Sequence, residues 1–198
     1  MRRIIAITTV VGCALAAAAT ADARISSLVI TKVESPTFGG TAFGDAGAYE
    51  KLVGRATGEI DPADPRNAVI VDIGLAPRNS RGMVEYSMDI GLVKPIDMSK
   101  SNRTLFYEDV NRGNKNTPSF NVGGDPTKVG DGWLQIQGYT LAWAGWEGDV
   151  TTGIKIKLPV ARNADGSEIT GRVRAEYILT AAAPSVSVTA APAYEAAS

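Results

Sequence analysis

No apolar pattern in this 198-residue chain keeps helical spacing for more than a few residues, and its Val, Ile and Leu residues fall in short runs closed by Pro, Gly, Asn or Asp. A chain of this size buries one sizeable core, and with no long amphipathic helix to line it the centre has to be a sheet. Residues 28–33, 68–73 and 105–110 are continuous enough in apolar character to predict largely buried strands. Residues 86–93 alternate, with Tyr86, Met88, Ile90 and Leu92 on one face and Ser87, Asp89 and Gly91 on the other, which predicts a strand with one wet face. Residues 154–158 and 173–179 also alternate, and Asn163-Ala164-Asp165-Gly166-Ser167 between them supplies turn residues, so the two predict an antiparallel hairpin.

Residues 105–146 carry the most informative order. A strand is followed by a loop beginning Asn111-Arg112-Gly113, a Gly-, Pro- and Asn-rich stretch, a short helix over 133–137 and a second strand over 139–143. Asp131 is placed to cap the helix and Gly138 to stop it. A strand, crossover and strand of this kind predict a parallel pair, with ligands bound beyond the carboxyl ends of the strands. Asn111-Arg112-Gly113 and Gly145-Trp146-Glu147-Gly148-Asp149 would share that edge.

The N-terminus reads as a targeting segment. Met1-Arg2-Arg3 precedes an apolar stretch from Ile4 to Ala19 and then Ala21-Asp22-Ala23, the A-x-A form of a signal-peptidase site, so residues 1–23 are a secretory signal and the product is exported, periplasmic or extracellular. Val10-Val11-Gly12-Cys13 offers an alternative lipoprotein cleavage at Cys13, which the apolar residues continuing past it disfavour. Cleavage after Ala23 removes the one cysteine, leaving neither disulfide nor thiol nucleophile, and no later run is long enough to span a bilayer. The remainder, 24–180, is a β-rich region close to charge balance, which excludes the basic footprint of a nucleic-acid binder. Residues 181–198, rich in Ala, Ser, Pro, Thr and Val, form a low-complexity tail.

Several strings resemble a family. Phe43-Gly44-Asp45-Ala46-Gly47-Ala48-Tyr49-Glu50-Lys51-Leu52-Val53-Gly54-Arg55, Asp61-Pro62-Ala63-Asp64-Pro65-Arg66-Asn67, Ala76-Pro77-Arg78-Asn79-Ser80-Arg81-Gly82-Met83-Val84-Glu85-Tyr86, Asp109-Val110-Asn111-Arg112-Gly113-Asn114-Lys115 and Gly138-Tyr139-Thr140-Leu141-Ala142-Trp143 resemble the bacterial proteins called alpha/beta hydrolase domain-containing. The resemblance implies a strand-dominated α/β fold: the N-terminal part of a hydrolase-like sheet with an added antiparallel hairpin, whose catalytic half follows Ser198. It also implies a small ester or acyl substrate for the longer form. A serine hydrolase needs a G-x-S-x-G elbow and a His base, and this chain has no such elbow and no histidine, so the catalytic residues do not transfer. What the resemblance leaves is an oxyanion loop at Arg112, Gly113 and Asn114, where one backbone donor contributes roughly 3 kcal/mol to transition-state binding.

For these residues a plain turn at a strand end is the competing reading, and Arg112 would otherwise hold a substrate carboxylate. Trp146, between two glycines, and its neighbour Glu147 are the candidates to touch a ligand, whereas Trp143 and Trp133 are better explained by core packing. The carboxylates Asp61, Asp64, Glu147 and Asp149 would serve glycosidase chemistry only as a pair held across a cleft, and Asp61 and Asp64 read more simply as a tight turn before a strand. Asn163-Ala164-Asp165-Gly166 lacks the alternating acids of a calcium loop, and neither metal nor cofactor is expected. The alternative to the hydrolase reading is a non-catalytic exported β domain that binds carbohydrate or cell-envelope material through its Trp-rich edge. A sheet cut midway would further leave an open edge and a tendency to aggregate.

Overall fold

The computed structural model describes residues 24–171 and Ala181; the expected signal at 1–23, the strand expected at 173–179 and the tail from 182 lie outside the described residues. The fold is strand-dominated, built on one mixed seven-stranded sheet. Its strands are β1 (Arg24–Glu34), β2 (Ala42–Phe43), β3 (Gly47–Ile60), β4 (Val84–Pro95), β5 (Leu105–Asp109), β6 (Thr140–Ala144) and β7 (Ile156–Lys157), and one helical turn, α1 (Trp133–Ile136), stands before β6. The main path runs β1-β3-β4-β6-β5, with β2 paired to β3 and β7 to β4. All pairs are antiparallel except β5 with β6, the parallel pair that the order of residues 105–146 predicts.

The centre is a long hairpin. β3 and β4 pair without a break from Tyr49 opposite Pro95 to Ile60 opposite Val84. β3 hides from a search for apolar runs because Glu50, Lys51, Arg55 and Glu59 interrupt it, yet Glu59 is fully buried. Its carboxylate lies 2.7 Å from the Arg24 guanidinium and is bonded also by Arg81 and Asn79, so a charge within the strand is paired on three sides. The bond from Arg24 leads these contacts in holding the Glu59 carboxyl below its usual range.

Five expectations need correction. Residues 28–33 do lie in a strand, but β1 is an edge, and Ile25, Leu28, Val29, Ile30 and Val33 are all more than a third exposed. Two bulges in its pairing with β3 bend this edge. Residues 68–73 form turns and part of a short 3-10 segment, with Val69 84% and Val71 85% exposed; β3 and β4 already pair with each other, and this stretch of their connection has no ladder to join. β5 is the opposite edge, with Leu105 and Tyr107 outward, so it is half-buried at most, although Val110 after it is fully enclosed. The wet face assigned to β4 is covered from Gly91 onward, where Gly91, Val93 and Pro95 are buried. The turn at 163–167 closes as predicted, with the Asn163 N–H donating to the Ser167 carbonyl at 3.0 Å, but of residues 154–158 only Ile156 and Lys157 are strand, and they pair with Ser87 and Met88 of β4.

What covers the sheet is the crossover of residues 110–139. The core joins Phe43, Ala46 and Tyr49 to Val93, Leu141 and Trp143 of the sheet and to Val110 and Leu134 of the crossover. Phe38, Phe43 and Tyr49 stack edge to face at 5.7 and 5.6 Å. The Tyr49 hydroxyl lies 2.9 Å from the Gln135 carbonyl and 3.1 Å from that of Tyr139, tying β3 to the end of the crossover, and burial pushes this phenol up to about 12. The N-cap of α1 is Gly132 rather than Asp131, whose carboxylate accepts the N–H groups of Val122 and Trp133, each at 3.1 Å.

Candidate functional site

Register sets the floor of the site. Glu34, Lys51, Val93, Leu141 and Phe106 are successive partners across five strands, and two residues along lies a second row of Lys32, Val53, Gly91, Trp143 and Glu108. A two-residue step returns a strand to the same face, so both rows face the crossover. Between this floor and a roof that includes Asn121, residues 125–129 and Gln135 lies a cavity of about 410 Å³, flanked by Thr37 and Phe38. That volume suits a small organic molecule.

The roof is built from satisfied polar groups. Asn121, 2% exposed, donates to the Val129 carbonyl at 2.7 Å and to Gln135 Oε1 at 2.8 Å while accepting the Leu134 N–H at 2.8 Å. At one end of the floor, Glu108 takes the N–H groups of Asn116 and Thr117 at 2.6 and 2.7 Å, Trp143 Nε1 at 2.8 Å and the Thr117 hydroxyl. Burial pushes the Glu108 carboxyl up, but these donors outweigh it and hold the group below its ordinary value.

Lys115 crosses this floor. Its Nζ stands 4.6 Å from the centre of the Trp143 ring, and a Cβ at Gly91 would lie 3.0 Å from that nitrogen, so the missing side chain makes the seat. Burial and then the neighbouring Lys51 charge push the Lys115 ammonium down, with Glu108 acting in the opposite sense. Among the described residues, neither Lys51 nor Lys115 has a carboxylate within ion-pair distance. The two acids of the lining are engaged locally: Glu34 accepts the Thr37 hydroxyl at 2.5 Å, and Asp125 accepts the Thr127 N–H and hydroxyl and the Lys128 N–H at 2.7, 2.6 and 2.9 Å. The cavity therefore joins an apolar floor to ammonium groups that, among the described residues, have no carboxylate in direct contact.

The candidates drawn from the sequence gather elsewhere, at the carboxyl ends of β5 and β6. Residues 111–114 form a tight turn in which the Asn114 N–H donates to the Asn111 carbonyl at 3.0 Å and the Asn111 N–H returns to Asn114 at 3.2 Å. Arg112, at φ 51°, grips both oxygens of Asp149 at 2.8 and 2.9 Å and lies 3.8 Å from Glu147. This bond leads the contacts that hold the Asp149 carboxyl low. The backbone that approaches Gly113 belongs to the chain itself: a Cβ there would lie 2.4 Å from the Thr152 carbonyl. Trp146 is 56% exposed and donates through Nε1 to the Val110 carbonyl, while one Glu147 oxygen is buried with no hydrogen-bond partner among the described residues. Trp143 is core, as its alternation suggests, whereas Trp133 is 49% exposed and tilts against Tyr139. Asp61 and Asp64 accept the N–H groups of Ala63 and Arg66 at 2.8 Å each, a tight turn followed by no strand.

Lys51, Lys115 and Glu108 were not among the sequence candidates, because isolated charges in loops and strands ordinarily signal solvated positions. The one available hint was Gly91 in a strand, which marks a close approach. Comparison with family models, with curated proteins and with solved structures finds no match for this chain.

Proposed function

We propose that this protein is an exported β-rich binding module that holds a small molecule in the cavity between the sheet and the 110–139 crossover. The observation carrying this reading is the cavity of about 410 Å³, with Trp143, Val93 and Leu141 in its lining and polar groups at its edges. The roof hydrogen bonds of Asn121 to Val129, Leu134 and Gln135 keep that space preformed, which lowers the ordering cost of binding. The binding alternative reached from the sequence thus moves from the exposed Trp146 to the enclosed Trp143. Amide and indole NMR spectra of the full chain, recorded against neutral saccharides, esters and organic acids, test it. Shifts concentrated at Lys51, Gly91, Val93 and Trp143 Nε1 are expected; shifts confined to Trp146 would move the site, and none at all would end the reading.

A second reading keeps the hydrolase resemblance, with this chain supplying early strands and an oxyanion loop to a longer protein that cleaves an ester. It is favoured by the parallel β5–β6 pair, whose carboxyl ends bring Arg112 beside Glu147 and Asp149. The chain alone, lacking histidine, is expected to be inert toward a short p-nitrophenyl ester, and a longer form carrying a serine elbow active. Activity in neither form would remove this reading.

A further inference from the structure

Resting on the cavity-binding reading, we infer that the ligand is a small organic carboxylate, its charged end between Lys115 and Lys51 and its body against Trp143 and Leu141. Lys51 and Lys115 come from different elements, one on β3 and one after β5, yet line the same cavity, and among the described residues neither meets a carboxylate. Two ammonium groups held near each other repel, which Glu108 offsets only in part, and an anion between them would remove that repulsion while gaining charge-assisted hydrogen bonds.

The surroundings narrow the class of anion. Lys51, Lys115 and Lys128 against Glu34 and Asp125 leave the lining with one excess positive charge. The Thr127 hydroxyl and N–H hold the Asp125 carboxyl below its ordinary range, and that carboxylate would oppose a dianion such as a phosphate monoester. Arg112, which would give the fork suited to phosphate, points instead to Asp149. Seating Lys115 over Trp143 through the gap at Gly91 fixes where its Nζ can meet one carboxylate oxygen.

Calorimetric titration of the full chain with benzoate and D-glucuronate, against benzamide, D-glucose and inorganic phosphate, tests the inference, with Trp143 Nε1 followed by NMR. At least one acid is expected to bind about tenfold or more tightly than its neutral counterpart. Lys115→Met, which keeps the apolar stem over Trp143, and Lys51→Met should each remove about tenfold of acid affinity and affect neutral-probe binding less than acid binding. If Lys115→Met fails to melt cooperatively, Lys51→Met decides alone. Neutral probes binding as well as acids, or acids binding both variants undiminished, would overturn the carboxylate inference and leave the cavity reading standing. Phosphate binding more tightly than either acid would overturn it as well. Silence of Trp143 toward every probe would overturn both.

Discussion

Glu108→Gln removes the carboxylate that joins the floor of the cavity to the start of its roof. Glu108 Oε1 accepts the Asn116 N–H, while Oε2 accepts the Thr117 N–H and hydroxyl and Trp143 Nε1. An amide keeps one acceptor oxygen and sets an NH2 where the other stood, so at least one N–H then faces a donor. An unsatisfied N–H costs about 1–3 kcal/mol, and the surviving bonds lose the charge that makes them roughly twice as strong as neutral ones. With Glu108 partly exposed, a total of about 3 kcal/mol follows, or a fall in Tm of about 6–12 °C for a chain of this size. The sign of its pH dependence is fixed because the folded-state carboxyl is held below the ordinary value of 4.5. Its contribution is complete above that value and disappears as the pH falls through the folded pKa. Urea unfolding of both proteins at about pH 7 and about pH 3 should show the wide gap at neutrality narrowing in acid, while the other carboxylates cancel between the two. A gap of equal size at both pH values, or none at neutrality, would refute the assignment of Glu108 as the ionised clamp.

Other substitutions probe the same architecture. Tyr49→Phe deletes the hydroxyl that reaches the Gln135 and Tyr139 carbonyls and should lower stability by about 1–2 kcal/mol in urea, whereas an unchanged midpoint would mean that those carbonyls are satisfied without it. Gly145→Ala would set a Cβ within 2.5 Å of the Lys155 backbone, so it should cost more than about 3 kcal/mol or abolish a cooperative melt. Val29→Lys with Val33→Lys on the exposed edge β1 should reduce concentration-dependent scattering while keeping stability within about 0.5 kcal/mol; unchanged scattering would place self-association elsewhere.

Local signals reached part of this fold. The β5-crossover-β6 unit was legible because Asp131 and Gly138 bracket a short helix and because the next residues alternate, and the structure makes that pair parallel. β4 was legible from alternation but not its covered end, since Gly91 and Val93 are buried by a crossover whose path the alternation does not specify. β3 was missed because burial of Glu59 depends on Arg24 and Arg81, 35 and 22 residues away. Residues 68–73 erred in the opposite direction: Val69, Ile70 and Val71 have strand propensity, but propensity forms no ladder without a partner strand.

The cavity was out of reach for a related reason, which also bears on what it recognises. Its floor exists only as a row of partners, Lys51 beside Val93 beside Leu141, and register is a property of pairs of strands rather than of any one segment. A slip of one residue between β3 and β4 would turn Lys51 to the opposite face and leave Lys115 as the sole ammonium over Trp143. The twelve-residue run of pairs from Tyr49–Pro95 to Ile60–Val84 resists such a slip, because slipping would also expose Tyr49 and withdraw the Glu59 carboxylate from Arg24 and Arg81. The buried Glu59 carboxylate with its two arginines at one end of the hairpin and the Tyr49 contact at the other thus fix the position of Lys51 between them.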